Sequence, residues 1–246
     1  MITPYAERFL NPSIRRGGYG LPPIRPWWTV FLGILALSAT LSARPPQAAP
    51  RDCGTGQAGR CAFENAPPRI LAGTVRIPGK PHLYSELAAP LGFTDAGGTV
   101  WTAPRATLTD GASIPPVFVP LIGAPRSPEF LAAATLHDAY CGAGNEGLVQ
   151  YRARSWEDTH RMFYDSLRAA GVSAMKGKVM FAAVYLGGPR WDDAARALDG
   201  VPDEVLRAEM ERCIDFITAE DPEPEEIVAW MRRREAALQA TAQPVH

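Results

Sequence analysis

Basic charge, cysteine and histidine are all scarce in this chain. Lys and Arg together number 25 against 26 Asp and Glu in 246 residues, and the formal net charge is −1. No basic stripe with interleaved aromatics compensates, so a nucleic-acid backbone has nothing to bind and nucleic acid is excluded as a partner. The four cysteines contain no CxxC pair, which excludes the common zinc-ribbon spacing. No GxSxG elbow occurs, so the usual serine-hydrolase signature is missing. No internal repeat is found, which excludes a solenoid. Only one long uncharged apolar run exists, WWTVFLGILALSATLSA, from Trp27 to Ala43.

What is present is unevenly spread. Residues 1–43 carry Arg8, Arg15, Arg16 and Arg25 against the single acid Glu7, while 201–246 are strongly acidic. Arginines before an apolar run, with small residues at Ser42-Ala43 and Ala48-Ala49 after it, are the pattern of an export leader. The run is short for a spanning helix, which needs ~20 residues. A cleaved signal peptide and an uncleaved signal-anchor both fit. Either way the remainder is expected to be exported, periplasmic or membrane-anchored. All four cysteines follow the leader, as expected of an oxidising compartment. Cys53 and Cys61 bracket a Gly-rich loop and are expected to pair. Cys141 and Cys213 would then tie the C-terminal helices to the middle of the domain, although four cysteines allow three pairings.

Beyond the leader (1–43) comes a Pro/Gly-rich linker (44–67), a core (68–192) and an acidic helical extension (193–246). Short β-like stretches, ILAGTVRI and LGFTDAGGTVWTA with a hairpin at Gly97-Gly98, precede a helical remainder. Arg105–Leu108 adds a strand candidate. The predicted fold class is therefore α+β, a small antiparallel β-sheet followed by a helical bundle. Helices are expected from Ser127 to about Cys141, from Ser155, from Ser173 to Leu186, and over 203–218 and 223–240. Ser127, Ser155 and Ser173 stand at their starts, and acidic residues open the last two.

Three places carry residues suited to chemistry. His137-Asp138 lies inside an Ala-rich apolar helix, where an aspartate needs a partner. His160 falls on the apolar stripe of the next helix with Trp156, Phe163 and Leu167. A buried imidazole must satisfy both ring nitrogens, and an acid or a metal from the preceding helix could do so. Asp158 is accounted for by a capping box begun at Ser155. Thr109-Asp110-Gly111-Ala112-Ser113 is a tight turn that could aim oxygen ligands at a hard cation such as calcium.

The segments TDGASIPP, AAATLHDAYC, RARSWEDTHRMFYDSLRAAGV and VYLGGPRW, spread over 68–192, resemble a family of uncharacterised bacterial and phage proteins, a domain of unknown function. Many of its members carry Asp at the position of His160. AAATLHDAY, with the helix that follows, is also distantly similar to calcium-dependent secretory and viral-capsid phospholipases. That resemblance implies His137 as the base that activates water, Asp138 as a calcium ligand and His160 in the orienting position. This chain departs from the pattern in having no acid at His160. Tyr140 comes one place early, with Cys141 in its slot, and no Gly-rich calcium loop is seen unless the turn at Asp110 serves.

Three functional readings follow. The first is an exported metal-dependent hydrolase of lipid or other envelope esters. In it His137 and His160 are catalytic, Asp138 and Asp110 hold calcium, and zinc is the less favoured ion. A variant makes His137, Asp138, Asp110 and His160 transition-metal ligands. The second is a non-catalytic envelope or phage-associated module whose His-Asp pair is a buried polar network. The third is a Ser113–His137 hydrolase.

Overall fold

The computed structural model describes residues 53–54, 61–111 and 127–242. The leader at 27–43 and Ser113 lie outside these residues. Among the described residues no helix is long and apolar enough to cross a membrane.

Among the described residues six short strands come first: β1 (Ala62–Glu64), β2 (Val75–Arg76), β3 (Leu83–Glu86), β4 (Leu91–Thr94), β5 (Val100–Ala103) and β6 (Leu108–Thr109). They form two antiparallel three-stranded sheets, ordered β1-β4-β5 and β2-β3-β6. The β4–β5 hairpin turns where Gly97-Gly98 predicted it, with Gly98 at φ 82°. Asp95 locks the turn: its carboxylate accepts from the backbone N–H groups of Gly97 and Thr99 and from Trp101 Nε1. The stretch ILAGTVRI contributes less strand than expected. Only β2 and a single bridge between Ile70 and Leu87 are paired.

Five α-helices follow among the described residues: α1 (Leu131–Cys141), α2 (Trp156–Ala169), α3 (Ala174–Gly187), α4 (Asp203–Glu220) and α5 (Pro224–Gln239). The mixed α+β class holds, with small antiparallel sheets ahead of the helices. Ser155 and Ser173 cap α2 and α3 through their side chains, at 3.1 and 3.4 Å. Ser127 does not cap α1. Its carbonyl instead closes a turn onto Phe130, and the helix begins three residues later than predicted, without a side-chain cap.

α1 lies between two apolar clusters. Leu136, Ala139 and Tyr140 pack on Leu91, Phe93, Trp101 and Ala103 of the sheet. Ala133 and Ala134 belong to the helical cluster, which runs from Phe163 and Phe181 to Met210, Ile227 and Leu238. α3 is buried almost all round, as expected of a central helix. α4 and α5 share this core, so the acidic extension is packed through its apolar stripes.

Two polar devices fix the helices. Asn145, 1 % exposed, accepts from Leu108 N–H at 2.8 Å and donates to the carbonyls of Leu108 and Asp138, tying β6 to α1. Asn145→Ala strands these buried groups and is expected to cost about 2–3 kcal/mol, read from urea unfolding midpoints. On the far side, the buried Arg190 guanidinium donates to Glu235 of α5 at 2.9 Å and lies 4.6 Å over the Trp156 ring of α2. Arg196, on the short 3₁₀ turn Ala194–Arg196, donates to both oxygens of Glu235 and to Glu157.

Candidate metal centre

His137 and Cys141 stand one helical turn apart on α1, so their side chains share a face. That face meets α2 at His160. Cys141 Sγ lies 3.4 Å from Nε2 and 3.7 Å from Nδ1 of His137. The two imidazole rings are 5.2 Å apart between centroids. One ligand atom from each of the three residues lies within 4.8 Å of the others.

The site is dry. His160 is 0 % exposed, His137 1 %, and Cys141 partly covered. Neither ring nitrogen of His160 has a hydrogen-bond partner. Two orphaned polar atoms in a fully buried ring cost several kcal/mol unless a ligand takes them up. Trp156 and Trp191 wall the ring edge-on at 5.5 and 6.3 Å. Gly188, just past α3, closes the remaining side. A Cβ there would come within 2.9 Å of His160 Nε2, so only glycine permits this approach.

Burial sets the protonation states. It lowers His137 from 6.5 to about 4. His160 is held well below its ordinary value by burial first, then by the positive charges of His137 and Arg190. Both imidazoles are thus neutral at physiological pH, the form that ligates metals. Cys141 is pushed well above its ordinary value by burial and by Asp138, with Arg152 acting in the opposite direction.

Of the residues marked in the sequence, His137 and His160 come together. Asp138 and Asp110 are not among the clustered ligands: after burial both raise Tyr84, followed by Glu146, and Asp138 also acts on the Cys141 thiol. Asp158 is exposed and borders a surface cleft with Asp95, Trp101 and Arg161 that does not include the two histidines. Cys53–Cys61 is a disulfide, as predicted. The expected Cys141–Cys213 bridge is not formed and both are free thiols. The physical reason is packing, because Cys213 is buried in the helical core while Cys141 faces the two histidines. Cys141 is therefore the site residue that sequence reasoning missed. Its signal is the i, i+4 spacing from His137, which the expectation of a Cys141–Cys213 bridge leaves unused.

Comparison with known proteins finds a partial family match and no activity. Over 119 residues the chain is 41% identical to the uncharacterized protein y4iH of Sinorhizobium fredii, covering 48% of this chain and 46% of that protein. It is 38% identical over 115 residues to the uncharacterized protein y4jT of the same organism, covering 47% of this chain and 32% of that one. The matched stretch thus spans less than half of either relative. No solved structure matches. Residues 85–184, which hold His137, Cys141 and His160, match the family described as a protein of unknown function, DUF1353.

Proposed function

We propose that His137, Cys141 and His160 bind a zinc ion, and that the chain is an exported metal-dependent hydrolase of lipid or other envelope esters. The observation that carries the metal reading is the fully buried His160, with both ring nitrogens unpartnered, facing an imidazole and a thiol. Two nitrogens and a sulfur suit zinc, whereas calcium takes oxygens. Ligand atoms around tetrahedral zinc lie roughly 3.3–3.8 Å apart, given bond lengths of ~2.0–2.3 Å. The ligand atoms of the cluster lie within 4.8 Å of one another, on the order of 1 Å wider than that spacing.

Three protein ligands leave a fourth position open, the pattern of catalytic rather than structural zinc, and a metal there supplies Lewis acidity and an activated water. The protein's own part is to present two neutral imidazoles, to give up the Cys141 proton on binding, and to exclude bulk water behind Trp156 and Trp191. Export is supported by the leader pattern at 27–43 and by the Cys53–Cys61 disulfide. Calcium, the ion implied by the phospholipase resemblance, would go to Asp138 and Asp110 instead.

Cobalt(II) titration decides between these ions. The wild-type chain is expected to develop thiolate-to-cobalt charge-transfer absorption that zinc abolishes and calcium does not. Cys141→Ser should lose that absorption, and His160→Ala should weaken binding at least tenfold. Stabilisation by calcium alone, lost in Asp138→Ala, would move the site to the carboxylates. No response to any ion would leave the non-catalytic module, with a buried polar network, as the reading.

A further inference from the structure

Arg152 occupies an unusual place beside this cluster. It lies in the connection between α1 and α2 with its backbone at φ 55°, a left-handed conformation that a non-glycine residue adopts at a cost. Its backbone N–H donates to Tyr140 carbonyl at 2.8 Å, which anchors it to the last turn of α1, next to Cys141. The side chain is exposed, yet it is not loose. Its guanidinium carbon lies 5.1 Å from the Tyr151 ring centre and 6.0 Å from that of Trp191.

Trp191 is the same ring that stands edge-on to His160, and its Nε1 is itself held by the Arg154 carbonyl at 2.9 Å. One indole therefore separates the Arg152 guanidinium from the buried imidazole. The positive charge is also felt at the Cys141 thiol. No carboxylate among the described residues forms an ion pair with Arg152 or with its neighbour Arg154, whereas Arg161, Arg190, Arg196, Arg212, Arg232 and Arg234 all have one; of the two, it is Arg152 that lies against Trp191, while Arg154 lies over Trp101. An arginine held over aromatic rings and left without an acid keeps its planar N–H fork free for an incoming oxyanion.

We propose that Arg152 is the anion-recognition residue of the candidate metal centre, so that the substrate carries a carboxylate or phosphate group next to the bond presented to His137, Cys141 and His160. This rests on the metal reading above and narrows it to anionic esters. The oxyanion would pair with the guanidinium at the rim, one indole away from the candidate ligands.

The test uses the full chain in two states. In the cobalt-loaded protein, acetate is titrated and followed through the cobalt d–d bands. In the metal-free protein, inorganic phosphate and acetate are titrated separately and followed by the NMR shift of arginine side-chain N–H groups. Arg152→Gln is expected to weaken anion binding at least tenfold in both states, in line with a charge-assisted hydrogen bond. Arg154→Gln, which removes a neighbouring charge but keeps the carbonyl that holds Trp191, should bind as the wild type does. Tighter phosphate than acetate binding in the metal-free chain would name a phosphoester, and the reverse a carboxylate. Equal anion affinity in wild type and Arg152→Gln would overturn the assignment. If cobalt fails to bind but Arg152 still governs anion affinity, the metal reading falls and the anion site stands.

Discussion

Glu235→Ala is expected to be among the most damaging single substitutions in the chain, lowering stability by about 3–5 kcal/mol in urea unfolding. Glu235 sits on α5, 7 % exposed, and faces Arg190, whose side chain is 1 % exposed. Removing the carboxylate leaves a guanidinium buried without a counter-charge. Arg196 loses its pairing to the same group. Replacing both members of the central pair, as in Arg190→Met with Glu235→Leu, should recover most of the loss, since an apolar pair in the same volume avoids the desolvation cost. A loss below ~1 kcal/mol in the single variant would mean that water reaches Arg190. The effect should also reach the candidate centre. Arg190 lies over Trp156, and Trp156 stands edge-on to His160, so α5 supports the second imidazole from behind.

Acid is expected to destabilise the metal-free chain in a defined window. His137 titrates at about 4 when folded and at 6.5 when free, so between these values the unfolded chain binds the extra proton. Stability is then full above pH 6.5, falls as pH drops toward 4, and changes no further from this group below that. The 2.5-unit difference corresponds to about 3 kcal/mol from His137 alone. His160, shifted in the same direction, adds to it. Glu157 acts in a different window. Its folded value of about 2 results from hydrogen bonds and charges of Arg232 and Arg196 outweighing burial, so its contribution is present above its ordinary 4.5 and fades as pH falls toward 2. Urea midpoints measured from pH 7.5 to 3.5 should therefore bend first near 6.5. The bend should be shallower in His137→Phe, where His160 alone still contributes, and a flat profile down to pH 5 in the wild type would contradict the buried neutral imidazoles.

Much of the fold could be read locally. Ser155 and Ser173 marked true helix starts, Gly97-Gly98 marked the hairpin, and Asp203 and Glu223 lie at the openings of α4 and α5. These signals depend on a few neighbouring residues. The error at Ser127 has the same origin, because Ser-Pro-Glu satisfies the local rule while the chain makes a turn before Phe130 enters the core. The candidate centre was half legible. His137 and His160 stood out because polar rings on apolar stripes need an explanation. Cys141 did not, since an even cysteine count in an exported chain argues for pairing, and only the packing of α1 on α2 shows that its sulfur meets imidazoles. Gly188 follows the helix end predicted at Leu186. Its role in admitting the His160 ring depends on a contact 28 residues distant.

The connection between α1 and α2, residues 142–155, contains turns but no regular element. Cys141 precedes it directly and His160 lies one turn into α2 beyond it, so an ion shared between them would act as a reversible cross-link around this loop. Closing a loop in the native state removes the entropy that favours its local opening. Protease cleavage near the exposed Val149 would then report occupancy: rapid in the apo chain, slow in the loaded one. The segment bearing Arg152 would be clasped by the same event, so that loading the centre also organises the rim where a substrate arrives.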